Sequence, residues 1–164
     1  MARFGTATQL AGLLACLIVT ALAAVIGGLG SAEAGTFYAQ LDRPAWAPPG
    51  WLFSPVWTLL YLLMAIAAWQ VWREQGLADA AWPLGLYAGQ LAVNALWSWW
   101  FFAWQLGALA FVWILLLIIL VLFTIGAFAR VRVGAAGLLL PYLAWISFAS
   151  ALNFALWQRN PGLL

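Results

Sequence analysis

The sequence has no histidine and one cysteine, Cys16, which sits inside an apolar run. These two absences exclude an internal disulfide, a Cys/His metal cluster, and catalysis of the Ser/His/Asp or Cys/His kind. A bound haem would have no histidine ligand, leaving Cys16, Met64 or a tyrosine to serve. Charge is nearly as scarce, with only 6% of the 164 residues being Asp, Glu, Lys or Arg. All four acids, Glu33, Asp42, Glu74 and Asp79, are expected in loops, so no buried carboxylate marks a proton or ion path through a membrane helix. Phosphate-binding and dinucleotide fingerprints are missing. The net charge of +2 comes from arginines at expected loop level. It reads as membrane topology and not as a nucleic-acid surface.

What remains is apolar: 68% of the chain is hydrophobic. A soluble domain of this size lacks the polar surface to cover that much hydrocarbon, so the solvent for most of the chain is lipid. At this length a single domain, 1–164, is expected. The charge-free intervals run from Arg3 to Glu33, Arg43 to Arg73, Asp79 to Arg130 and Arg132 to Arg159. About 20 apolar residues make one membrane helix, so the third interval holds two, turning at Trp104-Gln105-Leu106-Gly107. An all-α bundle of five transmembrane helices follows, at roughly 6–29, 54–73, 80–103, 107–129 and 134–157. A barrel is rejected, because polar and apolar residues do not alternate. Arg3 followed by an apolar run and Ala32-Glu33-Ala34 also resembles a cleaved signal peptide, but the run far exceeds the usual apolar region of about 7–15 residues. With five spans, Arg3, Arg73, Arg130 and Arg132 fall on the N-terminal side and Arg43 and Arg159 on the other. The N-terminus is then expected in the cytoplasm of a bacterial cell membrane.

Between the first two helices lies a long loop rich in proline and tryptophan. Residues 43–57 hold four of the seven prolines and three of the thirteen tryptophans. Prolines fix φ and lack an N–H, which predicts a stiff extended arm at the membrane surface, the lid or rim of a site. Within the spans, Trp57 and Tyr61 share a face. Gln90, Asn94, Trp97 and Phe101 form a stripe about 16 Å long, and Tyr142, Trp145, Ala149 and Asn153 form another. Pro141 heads the latter and is expected to kink its helix. Three such stripes facing one cavity give apolar walls, flat stacking surfaces and a few directed amides. That is the make-up of a pocket for a large, flat, mostly apolar molecule. Amides in membrane helices equally serve to tie helices together, at about 0.6–2 kcal/mol each, and the pattern is compatible with both roles. Tryptophans near span ends (Trp69, Trp72, Trp82, Trp99, Trp100, Trp104 and Trp157) read as interface anchors. Arg43 pairs either with its neighbour Asp42 or with a ligand carboxylate.

Leu41-Asp42-Arg43-Pro44-Ala45-Trp46-Ala47-Pro48-Pro49 is followed by Pro55-Val56-Trp57-Thr58-Leu59-Leu60-Tyr61, Gln90-Leu91-Ala92-Val93-Asn94-Ala95-Leu96-Trp97 and Pro141-Tyr142-Leu143-Ala144-Trp145. In this order the segments resemble the TspO/MBR family of tryptophan-rich sensory and mitochondrial translocator proteins. The resemblance implies a five-helix bundle, often homodimeric, whose pocket below the first loop binds porphyrins and benzodiazepine-site ligands. It adds Tyr38, Trp46 and Pro48 to the pocket residues Trp57, Gln90, Asn94, Trp97, Trp145 and Ala149. It requires no cofactor, and protoporphyrin or haem is the implied ligand. Some similar bacterial proteins degrade protoporphyrin in light, which would make Trp57 and Trp145 the reactive pair of an enzyme. In animal relatives a C-terminal sterol pattern carries a tyrosine where Asn153-Phe154-Ala155-Leu156-Trp157-Gln158-Arg159 has Phe154, which weakens the case for a sterol partner. Three functions are thus in play: a porphyrin-binding sensor, receptor or passive translocator, a photo-oxidative enzyme, or an oligomeric scaffold joined through Gly85, Ala88, Gly89 and Ala92.

Overall fold

The computed structural model describes residues 4–164; Arg3, counted above on the N-terminal side, lies outside them. The described residues are helical, with no strand among them. In order they form α1 (Thr6–Gly30), α2 (Ala34–Gln40), a 3-10 turn (Gly50–Leu52), α3 (Phe53–Asp79), α4 (Ala81–Ser98) running into a π-helical turn (Trp99–Ala103), α5 (Gly107–Val131), α6 (Val133–Leu138) and α7 (Leu140–Arg159).

Four stretches are long and apolar enough to cross a membrane: Thr6–Gly30, Gly50–Asp79, Gly107–Val131 and Val133–Arg159. This is the pattern of a multi-pass membrane protein. The fifth expected span, α4, is not among them, because Gln90, Asn94 and Pro83 dilute its apolar character. The expected long loop is also only partly irregular. Helix α2 occupies its first half, and Phe53 already opens α3, leaving residues 41–49 as the stretch without helix. Pro55 lies in the first turn of α3, where a missing N–H costs no helix bond.

Further boundaries moved for local reasons. α3 runs six residues past Arg73, so Glu74 and Asp79 sit on a helix end instead of in a loop. Gly76 interrupts that end with φ 77°, a conformation that only glycine adopts without strain. The last expected helix is two, α6 and α7, broken at Leu139. Pro141 sits in the first turn of α7, because it cannot donate the hydrogen bond that a continuous helix requires there. Gln105 makes the expected turn with φ 54°.

The core is built from the inner faces of α3, α4, α5 and α7, around the fully buried side chains of Tyr142, Phe128, Met64, Ile114 and Ile146. The outside is apolar too. Leu14, Ile18, Leu22, Val25 and Leu29 of α1 and Val112, Ile119 and Phe123 of α5 are exposed, as lipid-facing residues are.

Several tryptophans brace helices instead of only anchoring them. Far from the arm, Trp69 Nε1 donates to the Gln9 carbonyl (3.0 Å), and the Trp72 ring lies so close to Gly12 that a Cβ there would fall 2.1 Å from it. These two contacts lock α3 to α1. Nearer the arm, α1 is instead braced to the α4 end, where Trp99 Nε1 donates to the Ile26 carbonyl (3.0 Å). Between them, Thr20 and Tyr87 hydroxyls meet at 2.6 Å. The arginines cluster as the charge map expects. Arg73 and Arg132 share Glu74 at one end, whereas Arg159 reaches Asp42 at the other.

Candidate functional site

A cavity of about 480 Å³ lies beneath the arm. Helix α1 supplies Ala24, Gly27 and Gly28, Ser31 caps its end, α2 supplies Ala34, Gly35 and Tyr38, and the 3-10 turn supplies Gly50. Phe53, Ser54, Trp57, Thr58 and Tyr61 come from α3, Asn94, Trp97 and Ser98 from α4, Phe102 from the π-helical turn, and Trp145 and Ala149 from α7. Of the residues singled out in the sequence, the fold therefore gathers Tyr38, Trp57, Tyr61, Asn94, Trp97, Trp145 and Ala149 around one space.

The others stand behind or outside it. Gln90, Tyr142 and Asn153 are buried in the packing that supports the walls. Tyr61 Oη donates to Asn94 Oδ1 (2.7 Å), Asn94 Nδ2 to Tyr142 Oη (2.9 Å), and Tyr142 Oη to Gln90 Oε1 (3.0 Å). Gln90 Nε2 ends the chain on the Met64 sulfur (3.8 Å). A second network holds Trp97, whose Nε1 donates to Asn153 Oδ1 (3.3 Å), while Asn153 Nδ2 donates to the Gly107 carbonyl (3.0 Å). The amides thus tie α3, α4, α5 and α7 together, and of the three only Asn94 also touches the cavity. Trp46 packs edge-on against Phe148 outside the cavity, with half its surface exposed. Pro48 contributes a backbone carbonyl, which accepts a hydrogen bond from Tyr38 Oη (2.9 Å).

Tyr38 and Phe53 form the roof. Their rings meet edge to face at 5.5 Å, and Phe53 meets Trp145 in the same way at 5.8 Å. Above Tyr38 lies the Arg43 guanidinium, 5.0 Å from the ring centroid. Burial raises the Tyr38 phenol above its usual pKa and the neighbouring Arg43 charge partly opposes this, so the hydroxyl stays a donor at neutral pH. Asp42 pairs with Arg159 (3.2 Å) rather than with its neighbour Arg43.

Asn160 carried no signal in the sequence, yet it clamps the arm. Its Oδ1 accepts from the Asp42 N–H (2.8 Å) and its Nδ2 donates to the Asp42 carbonyl (3.1 Å) and to Leu156 (2.8 Å). Asn160→Ala removes both bonds to the arm. Amide hydrogen exchange over residues 41–49 should then accelerate by about tenfold while the helices keep their protection. Unchanged exchange would show that the arm is held by its prolines alone.

Trp145 lines the wall with its ring, whereas its Nε1 is closed off from the space and has no hydrogen-bond partner among the described residues, as is also true of Trp100 Nε1 and Gln70 Oε1 elsewhere. Tyr38, Tyr61, Asn94 and Trp97 are all engaged as described, and Ser31 and Thr58 bond back to carbonyls of their own helices. Ser54 and Ser98 add two small hydroxyls. No group of three or more His, Cys, Asp or Glu that could hold a metal occurs among the described residues. The cavity therefore offers flat aromatic surfaces and a few small polar points.

Residues 14–158 match the model of the TspO/MBR family. The chain is similar to the Translocator protein of Ovis aries, with 43% identity over 132 residues, covering 79% of this chain and 78% of the relative. It is similar also to the Tryptophan-rich protein TspO of Chlorobaculum tepidum (43% identity over 132 residues, covering 78% and 82%). A third relative, the Tryptophan-rich sensory protein of Cereibacter sphaeroides, is 38% identical over 124 residues, covering 76% and 77%.

Proposed function

Since the chain belongs to the TspO/MBR family, we propose that it is a membrane receptor for porphyrin-type molecules, held in the cavity beneath the arm, and that it works as a sensor or passive translocator. The observation that carries this reading is the set of three indoles, Trp57, Trp97 and Trp145, that line one cavity. A flat apolar ligand among them gains about 0.5–1.5 kcal/mol per aromatic pair beyond the area it buries. Tyr61 and Asn94 add polar points to the same wall. The volume falls in the range of small-molecule sites, roughly 300–1,000 Å³. In this reading Arg43, which lies over the Tyr38 ring outside the cavity lining, would meet a ligand carboxylate at the rim. The names of the relatives speak of sensing and translocation and state no reaction.

In this reading α4 is the fifth span. Gln90 and Asn94 turn inward and are bonded there, which lowers the cost of placing them at membrane depth. The outer face of α4 presents Gly85, Ala88, Gly89 and Ala92, all exposed. Small residues let helices approach closely, so this face is where a second copy would pack to form a homodimer. The arm end then faces the cell exterior and the Arg73/Arg132 end the cytoplasm.

Titrating protoporphyrin IX into the protein in lipid nanodiscs tests the proposal. Saturable quenching of tryptophan fluorescence at one ligand per chain is expected. Quenching that rises linearly without saturation would favour the scaffold.

A further inference from the structure

The roof and the side of the cavity are closed very differently. Toward water, the arm is bonded shut: Tyr38 to Pro48, Asp42 twice to Asn160, and Asp42 to Arg159. Opening the roof breaks all of these. Toward the bilayer, the wall between α1 and α3 has little to break. Its rim is Gly28, Gly35, Ser54 and Thr58, all exposed, and a Cβ on either glycine would meet nothing within 4 Å. The helices themselves explain the gap. α1 and α3 are locked by Trp69 and Trp72 only at the end far from the arm, whereas at the arm end α1 leans on the α4 side through Trp99.

The gap opens in the outer part of the two spans. Gly28 is two residues from the end of α1, about 3 Å at the helical rise, and Thr58 is about 7.5 Å along α3 from Phe53, while Gly35 of α2 and Ser54 border it on the arm side. Behind it the cavity continues inward to Ala24 and Tyr61, about 9 and 12 Å from the same ends. Between two membrane-spanning helices, such a gap meets the headgroup level and the outer hydrocarbon.

We propose that ligands reach the cavity sideways from the bilayer, through this gap between α1 and α3, and not through the arm. The inference rests on reading the cavity as a ligand site. It narrows the ligand class to molecules that partition into lipid, such as porphyrin esters or protonated porphyrins, and it makes the arm a fixed roof.

Binding kinetics test it, using protoporphyrin dimethyl ester and the full chain in nanodiscs. Gly28→Phe puts a ring into the gap from α1, and Thr58→Trp does so from α3, so that a folding failure of one leaves the other. Each is expected to slow association and release together by at least about fivefold, because a narrowed path raises the barrier in both directions. Asn160→Ala, which unlatches the roof, is expected to leave both rates unchanged. Faster exchange in Asn160→Ala with unaltered rates in both rim variants would overturn the inference in favour of the arm. Rim variants that speed release have merely filled the cavity and count against the gap. If the unaltered protein itself shows no saturable binding, the ligand-site reading falls, and the inference with it.

Discussion

Trp145→Ala is expected to weaken protoporphyrin binding by about 30-fold, since it removes a stacking face and leaves the Phe53 ring without its partner, together about 2 kcal/mol. Trp57→Ala removes a stacking face alone and should cost about tenfold. The informative control is Trp145→Phe, which keeps an aromatic ring against Phe53 but has no N–H. It should stay within about threefold of the unaltered chain, because the Nε1 it removes is closed off from the cavity. Tryptophan-fluorescence quenching in the three variants gives the ranking directly. A loss of about tenfold or more in Trp145→Phe would mean that the indole turns its N–H toward an acceptor on the ligand. Unchanged quenching in both alanine variants would remove the pocket altogether.

The largest effect on stability is expected at Tyr142. Its side chain is fully buried, and its hydroxyl both accepts from Asn94 and donates to Gln90. Tyr142→Phe deletes that one oxygen and strands two amides between α4 and α7. Each stranded group costs about 1–3 kcal/mol in a water-soluble interior, and less where the unfolded state in lipid finds other partners, so a loss of about 2 kcal/mol is expected. Unfolding in mixed micelles measures it. Tyr87→Phe serves as comparison, because it removes a single hydroxyl pair with Thr20 and should cost about half as much. Equal stability of Tyr142→Phe and the parent would show that Asn94 and Gln90 re-pair with each other.

Much of this arrangement was readable from residue spacing, but only up to a point. The faces of the helices were legible: Trp57 with Tyr61, Asn94 with Trp97, and Trp145 with Ala149 converge on one cavity. Depth along a helix was not. Gln90, Tyr142 and Asn153 lie on the same stripes, one or two turns away, where the space has already closed and side chains bond to each other instead. Periodicity fixes the direction in which a residue points and carries no information on where a cavity ends. The α1 wall escaped notice for a different reason: Ala24, Gly27 and Gly28 shape the cavity by what they lack, and small residues in an apolar run look like any others. Asn160 acts on a residue 118 positions earlier, a distance over which no local pattern speaks. The four-fold count of apolar spans shows the reverse limit. Asn94, which brings α4 to the cavity, and Gln90 behind it are also what lowers the hydropathy of α4 below that of the four apolar spans.

The π-helical turn before Gln105 has a consequence for chain length. Trp104 donates its backbone N–H to the Trp99 carbonyl, five residues back, so this turn carries more residues than the 3.6 of an α-helix. Each residue added or removed there swings the rest of that helical run, up to Ala103, by about 100° while changing its length by only about 1.5 Å. Residues 99–103 therefore act as an angular setting for the last side chain of this run that reaches the cavity. A single deletion among residues 99–101 would leave the protein almost as long as before, yet would put Ala103 where Phe102 now lines the wall.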